Sequence, residues 1–308
     1  MFVDRRLALL RGEGREPILK DWNRMGPAAR AAWLMSILFR PWRAEYELHG
    51  FETLVMAALA LRPFPARRVY WIHSGRFAAE LTPMRRRILR WFLGRTDESV
   101  LGGEHVLAML DAVALPHAHK TRFEPAFIAP ALPHPDDFAA AYDQTTRDFV
   151  ESHMPLLVMQ GSEGWFRGED LYGTDIALEA FARVRAIWPT AGLVVTRPAP
   201  VSASYRRHLA PFERRLDDGG HLGGVLYLGG GRPLIPLMVR VSVFLRPTAD
   251  DGDSVSVREA LHLGIPVVAS DAVPRPAAVT LFHSRDVADL SRAILETLDQ
   301  PDSRGEAQ

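Results

Sequence analysis

Between residues 244 and 271 the chain reads FLRPTADDGDSVSVREALHLGIPVVASD, and few architectures accommodate that order. An apolar run, Val243-Phe244-Leu245, stops at Arg246-Pro247. A polar turn from Thr248 to Asp253 leads into an amphipathic segment, Ser254 to Leu263. Gly264 ends that segment, and a second apolar run, Ile265 to Ala269, reaches Ser270-Asp271. The order is strand, polar loop, helix, glycine stop, strand. In open α/β sheets ligands sit at the carboxyl ends of strands, where such loops face helix N-termini. Part of any active site of this chain is therefore expected here.

The same alternation runs through the second half. Leu156–Gln160 is an expected strand, followed by a polar loop over 161–174 and a helix over Asp175–Trp188. The spacing offers Ile176, Leu178, Phe181, Val184 and Ile187 for that helix's buried face. Leu193–Thr196 and Val225–Leu228 read as strands, and Tyr205–Leu216, Leu234–Val239 and Val287–Leu298 as helices. Strands separated by helices imply a parallel sheet covered on both faces.

The first half is less regular. Ala28–Phe39, behind Pro27, reads as a helix with Trp33, Leu34, Ile37 and Leu38 on its apolar face, and Glu45–Leu61 also has helical spacing. Val69–Ile72 is an expected strand ending at His73-Ser74-Gly75. Leu81–Arg95 is basic and amphipathic, with Arg85, Arg86, Arg87 and Arg90, and Val106–Leu110 is helical. Phe123–Pro135 holds four prolines and no period, as a connection between domains would. This places domains at 1–135 and 136–308.

Composition narrows the class. With 47% hydrophobic and 24% charged residues the chain is an ordinary globular one. No apolar run approaches the ~20 residues of a membrane span, and Asp4, Arg5 and Arg6 interrupt any signal-peptide pattern. With no cysteine there is neither disulfide nor thiolate chemistry, which fits a cytoplasmic setting. The net charge of zero conceals about 20 Lys and Arg against 13 Asp and Glu in residues 1–134, the remainder being acidic. The basic half is a candidate for peripheral contact with the inner face of an anionic membrane, or for binding an anionic acceptor.

Taken together, these features resemble the glycosyltransferases of family 4, whose GT-B fold is built from two Rossmann-like domains. The resemblance is carried by Asp251, Gly252-Asp253-Ser254-Val255 and Glu259 in REALHLG, followed by IPVVASD, and spans most of residues 50–298. LGRTDESV (93–100), EPAFIAP (124–130), the loop and helix around Tyr172-Gly173-Thr174-Asp175, and SDAVPRPAAVTLF (270–282) extend it. It implies a retaining, metal-independent enzyme without a cofactor. A sugar would pass from a nucleoside diphosphate sugar to a glycan or lipid-linked acceptor. By the same resemblance Glu259 holds the ribose, Asp251 the donor sugar, and the amides of Ser254 and Val255 the diphosphate. His73, at the end of a first-domain strand, would contact the sugar.

The chain departs from the family in three ways. The family's Arg and Lys on the donor phosphates have Ser162 and Tyr172 at the matching positions, with Arg167 in the same loop as the substitute. The first acid is Asp251 in place of Glu. The first domain is abbreviated, without the usual opening strand and glycine-rich loop. These departures keep open a second reading, a degenerate GT-B protein acting as a binding or scaffolding partner. Single residues have alternatives too. Ser256-Val257-Arg258-Glu259 fits a capping box, Asp251 fits a turn, and His73 fits a satisfied core histidine. Arg246 and Arg258 are packing charges or stand in for the phosphate cations. His117 and His119 lack the further ligands of a metal site. No GxGxxG follows a strand, no P-loop or Gly-x-Ser-x-Gly elbow is present, and the basic half lacks the aromatic motifs of a nucleic-acid module.

Overall fold

The computed structural model describes residues 2–13, 17–40, 43–73, 81–116, 120–125, 127–216 and 223–300. The chain divides into two compact units, Met1–Ile128 and Ala129–Gln308. The division falls inside the Pro-rich connection, a few residues before position 135.

In the first unit α1 (Phe2–Gly12) and α2 (Pro27–Phe39) precede a β/α alternation: β1 (Ala44–His49), α3 (Thr53–Leu61), β2 (Ala66–Ile72), α4 (Pro83–Leu93), β3 (Glu98–Leu101), α5 (Glu104–Ala112) and β4 (Lys120–Phe123). The four strands lie side by side in chain order, and every pair is parallel. Crossovers that all advance in one direction, all right-handed, place their helices on one face. That face holds the core: Tyr70, Ile72 and Leu101 meet Val55, Met56, Leu59, Leu89, Phe92, Val106 and Leu110. Ile37 joins this core, with Trp33, Leu34 and Leu38 packed against it, so the apolar face of α2 serves its own domain. On the opposite face Val69, Trp71 and Val100 form a small buried cluster.

The helix expected over Glu45–Leu61 is half strand. Glu45-Tyr46-Glu47-Leu48-His49 alternates polar and apolar, and Tyr46 and Leu48 pack on the core. Gly50, at φ +116°, then turns the chain, so the helical period begins only at Thr53.

The second unit opens with α6 (Pro135–Ala141) and α7 (Gln144–Ser152), and then β5 (Leu156–Gln160). A two-residue hairpin, β6 (Trp165–Phe166) and β7 (Glu169–Asp170), occupies the loop expected over 161–174. The chain continues as α8 (Thr174–Ile187), β8 (Gly192–Thr196), α9 (Ala203–Glu213), β9 (Val225–Leu228), α10 (Ile235–Met238), β10 (Val243–Arg246), α11 (Val255–His262), β11 (Val267–Ser270), β12 (Thr280–Phe282) and α12 (Val287–Leu298). The six long strands are parallel in the order β12-β11-β10-β5-β8-β9. Counted from β5 this is the doubly wound order, with its reversal between β5 and β10.

Strand side chains alternate between two cores. Leu157, Met159, Val195, Val243 and Leu245 face α8, α9 and α12. Leu156, Val158, Val194, Phe244 and Val267 face α6, α7, α10 and α11. Burial on both faces explains why these strands read as unbroken apolar runs. Of the residues expected to line the buried face of α8, Ile187 alone is exposed, because it stands on the last turn.

Candidate functional site

The reversal between β5 and β10 brings together the two loops singled out in the sequence, 161–173 after β5 and 247–254 after β10. The Ala249 amide donates to the Leu171 carbonyl at 2.9 Å. Gly173 caps α8 in the left-handed region, at φ +67°, and a Cβ there would collide with the Pro247 carbonyl oxygen. Glycine at 173 is what lets the two loops touch.

The first loop is braced from beneath. Asp170, fully buried, accepts from the amides of Tyr172 (3.0 Å) and Thr174 (2.9 Å) and from the Tyr205 hydroxyl (2.7 Å). Burial raises its pKa, partly opposed by the Tyr205 bond. Asp175 takes a bidentate pair from Arg285, at 2.9 and 2.6 Å. Asp170, Asp175 and His208 offer ligand atoms within 4.8 Å of one another, but a guanidinium and a hydroxyl already occupy those carboxylates, so the cluster acts as a brace for the start of α8.

The second loop is organised around Asp251. Arg246 approaches it bidentately, 2.9 Å to each oxygen, and Arg275 donates at 2.8 Å. Arg275 also reaches the Thr248 hydroxyl and the Ser270 carbonyl. Burial pushes the Asp251 carboxyl up, but the two guanidinium groups outweigh it and hold it at about 2. Asp251 is therefore committed within its own loop. Arg246 also lies 5.6 Å over the Tyr172 ring, so a guanidinium rests on the aromatic residue that stands where a lysine was expected. Arg258 is a packing charge, paired with Asp253 at 2.7 Å.

The capping-box reading of Glu259 fails on geometry. The N-cap of α11 is Ser254, whose hydroxyl accepts from the Val257 amide at 3.5 Å. Glu259 is thus the fifth residue of the helix, two positions too deep to cap it, and it is buried. The Val255 and Ser256 amides, first in the helix, have no carbonyl one turn back to bond, so they carry the positive end of the helix dipole at the strand reversal.

Ser162 is half-buried in the first loop. Arg167 sits with Gly168 at the tip of the β6–β7 hairpin, both at positive φ, exposed and with its guanidinium 5.1 Å over Phe166. Trp165 anchors that hairpin edge-on against His208. At the end of β8, one strand from the reversal, stands Arg197, which no spacing had singled out. Its guanidinium lies 3.8 Å over Tyr227, and its Nε and Nη2 are buried without an acceptor among the described residues.

In the first unit His73 follows the carboxyl end of β2, on the sheet face opposite the core. It is partly buried, stacks with His49 and Trp71, and lies 3.2 Å from His49. Ser74, Gly75, His117 and His119 lie outside the described residues. At the start of α4 a cavity of about 390 Å³ is lined by Leu81, Pro83, Arg86, Arg87 and Arg90, with Met84 exposed beside it.

Residues 164–300 match the family described as glycosyl transferases group 1. No curated protein matches the chain by sequence. Among solved structures, HepE from Anabaena in complex with UDP-glucose aligns with a TM-score of 0.68 at 14% identity, covering 96% of this chain and 80% of its own. Sucrose-phosphate synthase from Thermosynechococcus elongatus gives 0.64 at 17%, covering 90% and 68%. The α,α-trehalose 6-phosphate synthase from Burkholderia multivorans gives 0.63 at 16%, covering 91% and 70%. These likenesses show the GT-B fold.

Proposed function

We propose that this chain is a glycosyltransferase that moves a sugar from a nucleoside diphosphate sugar to a glycan or lipid-linked acceptor, with retention and without a metal. One observation supports this reading above the others. The open amides at the start of α11 stand at the strand reversal of a doubly wound sheet, with Glu259 buried one turn further in. Breaking a glycosidic bond leaves charge on the diphosphate, and aligned amides stabilise it where it develops. Glu259 is suited to the ribose hydroxyls. Asp251 serves by holding Arg246 and Arg275, which fix the 248–254 loop around those amides. Arg197 supplies a cation in place of the family's Arg and Lys pair, since its buried N–H groups lack an acceptor that a nucleotide oxygen would provide.

Thermal melts with UDP, GDP, ADP and UDP-glucose test this. A diphosphate present at a hundred times its Kd stabilises the native state by about 2.7 kcal/mol. The expected result is a raised Tm with at least one of them, lost in Arg197→Gln and Glu259→Gln. No rise with any of the four would overturn the proposal. Binding without hydrolysis or transfer would favour the second reading, a degenerate GT-B protein that binds nucleotide sugars as a partner.

The acceptor side draws on the first unit. Arg86, Arg87 and Arg90 line one cavity on α4, and like charges three and four residues apart on a helix repel one another. A phosphate-bearing amphiphile would relieve that repulsion while its apolar part covers Leu81, Pro83 and Met84. This favours a lipid-linked acceptor or an anionic membrane surface over a free glycan.

A further inference from the structure

The last residue of β10, Arg246, has more donors than its own loop uses. Strand side chains alternate, so Arg246 follows Phe244 onto the sheet face covered by α11, where Phe244 packs with Val257 and Ala260. Its guanidinium lies between the two loops at the strand reversal. It sits 5.6 Å over the ring of Tyr172, from the loop after β5, and on Asp251, from the loop after β10. Nε and Nη2 each donate to a carboxylate oxygen at 2.9 Å. Nη1 donates to no acceptor among the described residues, and it is not closed off from solvent, the side chain keeping 11% of its surface exposed.

Asp251 has no such surplus. Its Oδ1 accepts from Arg246 Nη2 and from the Gly252 amide at 3.0 Å, and its Oδ2 accepts from Arg246 Nε and from Arg275 Nη1 at 2.8 Å. An ionised carboxylate offers about four lone-pair sites, so a sugar hydroxyl finds none open. Arg275 is equally committed: it is 2% exposed, with Nε on the Ser270 carbonyl and Nη2 on the Thr248 hydroxyl. What this cluster presents to a ligand is therefore a donor, the N–H groups of Arg246 Nη1. A planar guanidinium gripped along one edge by a carboxylate has the direction of its remaining N–H groups fixed.

We propose that Arg246 is a donor-binding residue: its Nη1 takes an anionic oxygen of the nucleotide sugar beyond the α-phosphate, and Asp251 is the positioning residue that aims it. This rests on the transferase reading for its ligand. A guanidinium N–H is best met by a charged oxygen that only accepts. Beyond the α-phosphate, a nucleoside diphosphate sugar has such oxygens on its β-phosphate, and on a carboxylate where the sugar is a uronic acid. The open amides at the start of α11, the helix covering the same sheet face, favour the same charge. The Tyr172 ring, attracted to the cation, keeps it at the reversal.

The test is calorimetric titration of the full chain with UDP and UMP, GDP and GMP, ADP and AMP, and, for the sugar, with UDP-glucose and UDP-glucuronic acid. In the parent a diphosphate should bind more tightly than its monophosphate. Arg246→Gln should weaken the diphosphate by about ten- to a hundredfold and leave the monophosphate within about twofold. In that variant Arg275 still covers the carboxylate, so Asp251 is not left bare. Loss of a preference for UDP-glucuronic acid over UDP-glucose would instead place the sugar carboxylate on Nη1. Asp251→Asn, titrated below its Tm, should lose the same preference as Arg246→Gln, whereas a merely structural role would weaken mono- and diphosphate alike. An Arg246→Gln chain that keeps both preferences would overturn the inference, and so would equal weakening of mono- and diphosphate by Asp251→Asn. Either result leaves the transferase reading standing. If no nucleotide binds the parent, both fall together.

Discussion

At the scale of single residues, the chain's chemistry is set by partners as much as by identity. Asp251 was legible as an acid in the loop after β10, but not as an acid held by two arginines, because Arg275 lies 24 positions away and no local period links them. Replacing it by Asn leaves two nearly buried guanidinium groups without their anion, at a cost of about 3–5 kcal/mol, to be read by urea unfolding. The same pair gives a pH signature. The Asp251 pKa is depressed when folded, so its contribution is complete above the unfolded value and is lost as pH falls from about 4 to about 2. Acid unfolding followed by circular dichroism is expected to be steeper through that window in the parent than in Asp251→Asn. Glycines separate in the same way. Gly173→Ala forces a Cβ into the Pro247 carbonyl and is expected to cost about 2–3 kcal/mol. At Gly168, also at positive φ but with open space around it, Ala should cost about 1–2 kcal/mol.

At the scale of elements, the period of the sequence located the central strands of the second unit and the helices between them, since strands buried on both faces and helices with one apolar stripe leave clear spacings, but it did not single out α6, α7 or β12. It failed where elements are short or lie beside a turn. The strand β1 was hidden in an apparent helix, and the β6–β7 hairpin in an apparent loop. The segment reading started α11 at Ser254, where its cap stands, whereas the capping-box alternative at Ser256 placed the start two residues late, which removes the capping role of Glu259. With Ser254 as the cap, Ser254→Ala should lower stability by about 1 kcal/mol and leave nucleotide binding in place. Glu259→Gln should show the reverse balance in paired thermal melts, with the ligand response lost whatever the change in ligand-free Tm.

At the scale of the whole molecule, the division of charge has a measurable consequence. The excess of Lys and Arg before residue 134 lies in the first unit, and Arg86, Arg87 and Arg90 gather it around one cavity on α4. Binding to phosphatidylserine-containing vesicles in a sedimentation assay is expected. It should fall steeply between 50 and 500 mM salt as the field is screened, those concentrations bracketing a Debye length of about 10 Å at 0.1 M. It should be lost when the three arginines become Gln. Retention of binding by that variant would place the contact elsewhere.

The sequence by itself determined the class of fold and the address of the two loops at the strand reversal. Both are written in local order: apolar run, polar loop, helix, glycine stop. Local order survives in the chain because each element must bury its own face. Tertiary structure alone decided which charges meet. Arg275 comes to Asp251, Arg285 to Asp175, Arg197 to the edge beside the strand reversal, and His49 to His73, each across a separation that the strand order closes and no spacing records. Ion pairs and imidazole contacts depend on a few ångströms of through-space distance, and that distance is set by which strands are neighbours in a parallel sheet.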